Sequence, residues 1–232
     1  LLRSIPRLPS GPPTALSGQE TFLAVVFSLG SGYLFSYVTL ALIHLLEGFA
    51  GQSSTNTVSA VESSLPPVVA IVAFAVVAPV AEEFIFRRLL LDRVRIFGDG
   101  AAILIGGAAF GLFHGNLNQT LYAFVLGAVF SAIVLLTNRL RYTIGIHMLI
   151  NGISVLTTLM ESDLLDYLLA CVILFSICFS VVLFFVRRKH YTLEPGPLPF
   201  SRAEKAHACF TSPWVWILLV GGLLFSGVSI FL

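Results

Sequence analysis

The chain has 232 residues, of which 57% are hydrophobic and only 11% charged. Soluble domains average about 25% charged, so an ordinary water-soluble domain is excluded and most of the surface is expected to face lipid. The formal net charge is +1, and no basic patch interleaved with aromatics marks a nucleic-acid partner.

In chain order, residues 1–20 carry Pro6, Pro9, Pro12 and Pro13 with Arg3 and Arg7, and no apolar run. They read as a cytoplasmic N-terminal segment, neither secretory signal nor membrane span. The first residue is Leu rather than Met, so an upstream segment is allowed for. Apolar runs near 20 residues long then give about seven spans: Phe22–Leu46, Pro66–Leu90, Ala101–His114, Leu121–Thr137, Tyr142–Met160, Tyr167–Val186 and Trp214–Leu232. The third is short for a crossing. The second is long, and Leu89–Phe97 is expected to continue it as an amphipathic helix on the membrane surface. The predicted fold class is all-α: one polytopic transmembrane helical bundle over 21–232, with no internal repeat.

Charge sets the orientation. Arg3 and Arg7 lie in the N-terminal segment, Arg87, Arg88, Arg93 and Arg95 end span two, and the other seven Lys and Arg fall in the loops after spans four and six. The alternate loops hold only acids, Glu47, Glu62, Glu161, Asp163 and Asp166. The positive-inside rule then predicts a cytoplasmic N-terminus and a C-terminus outside. Cys171, Cys178 and Cys209 show no Cys-x-x-Cys spacing and read as small buried thiols rather than a disulfide or zinc site.

Polar residues within the spans carry the functional signal. Glu82 and Glu83 lie in the second span, followed by Arg87. A charged residue in hydrocarbon costs about 2.5–3.5 kcal/mol on insertion scales, so such groups persist where they face a protein interior or a wet cavity. Residues four apart on a helix stack, and adjacent residues diverge by about 100°. Glu83 is therefore expected to pair with Arg87, leaving Glu82 as the freer carboxylate and the candidate general base. Pro79 lacks a backbone N–H and is a place for the helix to bend or admit water. Phe110 and His114 share a face in the third span, and His147 and Asn151 share one in the fifth. A His and an Asn one turn apart offer two donors aimed the same way, as an oxyanion site requires. His44, His190 and His207 have no accompanying motif and read as structural or solvated; Arg88, Arg93 and Arg95 read as topology determinants.

Glu-Glu-x-x-x-Arg at 82–87, Phe-x-x-x-His at 110–114 and His-x-x-x-Asn at 147–151, in order on separate spans, resemble the CPBP family. That family includes the type II CAAX prenyl endopeptidases and bacterial bacteriocin-processing and self-immunity proteins. The resemblance covers about residues 65–155. It implies an intramembrane endopeptidase acting on a membrane-associated protein or peptide, in a bacterial plasma membrane. Glu82 and His114 would activate water, and His147 and Asn151 would stabilise the oxyanion. Glu83, Arg87 and Phe110 would support them. Members have been described as metal-free and as metalloproteases. The metal-free scheme is favoured here; the alternative is zinc held by Glu82, His114 and His147.

Other readings fit less well. A rhomboid-like serine protease would need Ser154 on a different helix from His147 and Asn151, and an aspartyl protease would need paired intramembrane Asp. A proton-coupled transporter is disfavoured by the missing repeat and the odd number of spans. The alternative from another class is a non-catalytic membrane module that binds an envelope partner, for which the motif residues would be dispensable.

Overall fold

The computed structural model describes residues 12–50, 61, 63–160, 162–188, 192–198 and 201. Beyond these it describes 203–204, 207, 211–213, 216–217, 219–222 and 224. Six helices account for the first six predicted spans: α1 (Gly18–Ala50), α2 (Pro67–Phe97), α3 (Asp99–Phe113), α4 (Leu117–Thr137), α5 (Leu140–Leu159) and α6 (Asp163–Arg187). All but α3 are long and apolar enough to cross a membrane, and no strand occurs among the described residues. The chain is a helical membrane bundle. Most of the seventh predicted span, Trp214–Leu232, lies outside the described residues, as do most of the loop before α2, Glu62, Glu161, Lys189, His190 and Cys209.

Local chemistry sets the helix ends. Ser17 and Glu20 form a reciprocal capping box: the Glu20 backbone N–H donates to Ser17 Oγ (3.2 Å), and Ser17 N–H donates to Glu20 Oε2 (2.8 Å). Asn116 caps α4 by accepting from Asn118 N–H at 2.9 Å. Asn138, left-handed at φ 51°, turns the chain from α4 into α5.

The α3–α4 hairpin is the most intimate pair in the bundle. A methyl on Gly107 would meet the Phe124 carbonyl oxygen at 2.8 Å, so glycine sets the helix separation. Along its other flank α4 packs on α1, and α1 in turn packs on α6. At that second seam Ser180 Oγ donates to the Val26 carbonyl (3.1 Å), and a side chain at Gly30 would strike Ser176 and Ser180. The first half of α2 lies against α5, and its 84–91 stretch against α3. The α1 and α2 helices share no extended interface among the described residues.

Several segments that carry or flank the basic residues are bonded together at one end. Arg88 Nη1 donates to Asn138 Oδ1 (3.3 Å), Arg139 Nη2 to the Pro13 carbonyl (3.3 Å), and Leu16 N–H to the Tyr142 hydroxyl (2.9 Å). Asp99 N–H donates to the Glu194 carbonyl beyond α6 at 2.9 Å. This is the basic end of the bundle.

Two expectations need correction. Cys171 and Cys178 are exposed, not buried: the buried side of α6 is given to Ser176 and Ser180, and the thiols sit on other faces. The continuation 89–97 is helical as predicted, but Leu91 and Arg93 are buried. Leu91 packs with Ala102 of α3 and Val134 of α4, so the stretch is part of the core rather than only a surface helix.

Candidate active site

The first motif builds its floor before its site. Glu83 and Arg87 are both fully buried, and Arg87 Nε donates to Glu83 Oε2 at 3.2 Å. This is the stacked pair that four-residue spacing requires. Arg87 also donates from Nη1 to Ser131 Oγ (3.4 Å) and lies over the Phe110 and Phe130 rings, 5.3 and 5.9 Å from their centroids. Apolar rings and one hydroxyl thus surround a guanidinium removed from water. Opposite lies Gly106, where an added Cβ would come within 2.5 Å of Ser131 Oγ.

Glu82, one residue earlier, turns away from that pair. Its Oε2 is 3.7 Å from His147 Nε2, while His147 Nδ1 is 3.3 Å from Glu83 Oε1. His147 therefore stands between the two carboxylates. Neither approach makes a well-aligned hydrogen bond, and Glu82 Oε2, Glu83 Oε1 and His147 Nδ1 all lack a hydrogen-bond partner. The His147 ring is also held between Phe110 and Phe130, with centroid distances of 5.6 and 5.5 Å.

His114 follows the last residue of α3. Its Nδ1 is 2.8 Å from the Phe110 carbonyl oxygen. A carbonyl only accepts, so Nδ1 carries the hydrogen and Nε2 is the nitrogen left to act. The Phe110 ring packs edge-on at 4.9 Å. Spacing four thus fixes the tautomer and the ring orientation together.

Asn151 has a partner outside the three motifs. Its Nδ2 donates to the Phe74 carbonyl at 3.0 Å. Residues Ile71–Val77 of α2 form a π-helical stretch, and the Ala78 N–H goes to Ala73 rather than Phe74. The next possible donor for Phe74 is residue 79, a proline with no N–H. Pro79 and the widened turn leave the Phe74 carbonyl free, and Asn151 takes it. π-Helical turns of this kind are frequent at functional sites.

Glu82, His114, His147 and Asn151 line one open cavity of about 480 Å³ inside the bundle. Phe110 lines it as well, whereas Glu83 and Arg87 lie beneath it. The sequence missed Ser131 and Phe130 under the site and the whole contribution of α1, whose Leu29, Gly32, Tyr33, Ser36 and Leu40 form one wall. None belongs to a motif; only packing brings them in. His44 contacts Glu47 at 3.0 Å on the exposed end of α1, away from this cavity. Among the described residues, no three His, Cys, Asp or Glu are grouped closely enough to hold a metal ion.

Comparison with known proteins agrees with the motifs. Residues 64–153 match the family model of the type II CAAX prenyl endopeptidases, Rce1-like. The chain is 27% identical over 145 residues to the membrane-embedded CAAX protease MroQ of Staphylococcus aureus (strain USA300), covering 59% of each chain. It is 24% identical over 168 residues to YdiL of Bacillus subtilis (strain 168), whose name assigns it provisionally to the membrane peptidases; 68% of this chain and 65% of YdiL are covered. The chain thus spans less than two thirds of the length of either relative. No solved structure matches it. Over residues 64–153 the chain thus matches the model of the Rce1-like, type II CAAX prenyl endopeptidases, in line with the family that its three motifs resemble.

Proposed function

We propose that this protein is an intramembrane endopeptidase that hydrolyses a peptide bond of a membrane-associated protein or peptide. The observation that carries the reading is the convergence of Glu82, His114, His147 and Asn151 on one cavity. The names of the relatives, one a CAAX protease and one a membrane peptidase, support the same class of activity.

In this reading Glu82 takes a proton from a water held by its carboxylate and by His114 Nε2. The resulting hydroxide attacks the carbonyl carbon of the scissile bond. The oxygen that gains the negative charge is stabilised by His147 and by the second N–H of the Asn151 amide, the first being held by Phe74. Collapse breaks the C–N bond, and the proton taken by Glu82 passes to the leaving amine. Glu83 and Arg87 hold α2 and the underside of His147. The scheme needs a peptide bond in a membrane setting and no prenyl group.

Glu82→Gln and His114→Ala should abolish cleavage of a reconstituted substrate. His147→Ala or Asn151→Ala should lower kcat by about 10²–10³, as loss of an oxyanion donor does, with peptide still bound. Activity unchanged by a strong zinc chelator is expected; one tightly bound zinc per chain, with loss of activity on its removal, would replace the metal-free scheme. Full biological function in all four variants would show a binding module instead.

A further inference from the structure

The cavity lies off-centre along the bundle. The Glu83–Arg87 pair, with Phe110, Phe130 and Ser131, closes the side toward the basic end. On α2 and α5 the lining extends from the catalytic group away from that end. On α5 the lining runs from His147 forward to Asn151 and Ser154, away from Arg139 and Arg141. On α2 it runs back from Glu82 to Ala78 and Phe74, away from Arg87 and Arg88. On α4 it reaches Asn118 and Gln119 in the first turn, one helix length from Asn138.

The rim has a definite chemistry. Beyond Glu82 and the two histidines, the polar lining is uncharged, and no Lys or Arg reaches the cavity. An anionic headgroup or phosphate would call for such cations. Tyr33, Asn118 and Gln119 instead present neutral side chains, and amides offer both donors and acceptors, the pair of functions a peptide backbone requires.

We infer that the cavity admits its peptide from the face opposite the basic residues, which the positive-inside rule makes the extracytoplasmic face. The backbone of an uncharged, extended segment is bound by Asn118 and Gln119 of α4 against the Tyr33 wall of α1. The Tyr33 wall of this surface lies on α1, outside the 64–153 stretch that matches the family model. What the cavity does with the peptide rests on the hydrolase reading; where it opens does not.

The test uses the full chain in cells, with Cys171, Cys178 and Cys209 replaced by Ser. A single Asn118→Cys or Gln119→Cys should react with a membrane-impermeant thiol reagent in intact cells, and an added apolar, uncharged decapeptide should slow that reaction. Reaction confined to inside-out vesicles would overturn the access route. Adding Glu82→Gln should leave labelling unchanged, so failure of the hydrolase reading is seen separately. In the active protein, Asn118→Ala and Gln119→Ala should each raise KM several-fold with kcat kept, the mark of lost uniform binding. Unchanged KM in both, or a fall in kcat alone, would overturn the recognition role.

Discussion

At the scale of single residues, the site depends on a buried charge balance. Glu83 and Arg87 have no exposure, so each is tolerable only because the other is present. Removing one partner of a buried pair costs about 3–5 kcal/mol, whereas replacing both with neutral groups of similar volume is often close to neutral. Arg87→Met should therefore lower the unfolding temperature of the detergent-solubilised protein sharply, and Glu83→Gln/Arg87→Met should recover most of the loss. A double variant no more stable than Arg87→Met would mean that the arginine acts through Phe110, Phe130 and Ser131 instead. The pair was legible in the sequence because i,i+4 geometry on a helix is nearly context-free. Ser131 was not, because a lone serine in an apolar run looks the same whether it bonds its own helix or a neighbour's arginine. The position of His147 between two carboxylates was equally hidden: spacing gives a face, not what stands opposite.

At the scale of elements, the first six spans were legible because hydrophobic length is a direct consequence of the bilayer, and the short third one was recognised as short. The sequence could not show the irregularity within α2. Pro79 signalled a break in the backbone bonding, yet the consequence appears five residues earlier, where Phe74 loses its donor and Asn151 supplies one. The motif asparagine is thereby tied to a proline outside all three motifs. Pro79→Ala should restore a donor for the Phe74 carbonyl, release the Asn151 amide and let it wander from the cavity. Misplacement of about 1 Å near a reacting group can cost up to about 10² in rate, so kcat should fall toward that extent while thermal stability is kept or raised. In a double-mutant cycle, Asn151→Ala should then cost much less than it does alone. Fully additive effects would separate Pro79 from Asn151. The thiols illustrate the opposite limit: composition favours burial of cysteine, but which face of α6 is covered depends on α1, and α1 takes the serines.

At the scale of the whole molecule, charge distribution and hydrogen bonding give the same polarity by independent routes. The sequence places all 13 basic residues in the N-terminal segment, at the end of span two or in the loops after spans four and six. The structure joins the segment before α1, the end of α2, the α4–α5 turn and the stretch after α6 by hydrogen bonds at one end. An arrangement with one helix misassigned would scatter these contacts over both ends of the bundle. The Ser162 cap of α6 belongs to the opposite end, beside Asp163 and Asp166, whereas Ser201 follows α6 on the basic side. In cells carrying single cysteines in a cysteine-free background, Ser162→Cys should react with an impermeant thiol reagent from outside. Ser201→Cys should react only after the membrane is opened. Reaction at both positions from outside would break the alternation of the loops. The reverse pattern would keep the bundle and invert it, carrying the mouth of the cavity to the cytoplasmic face.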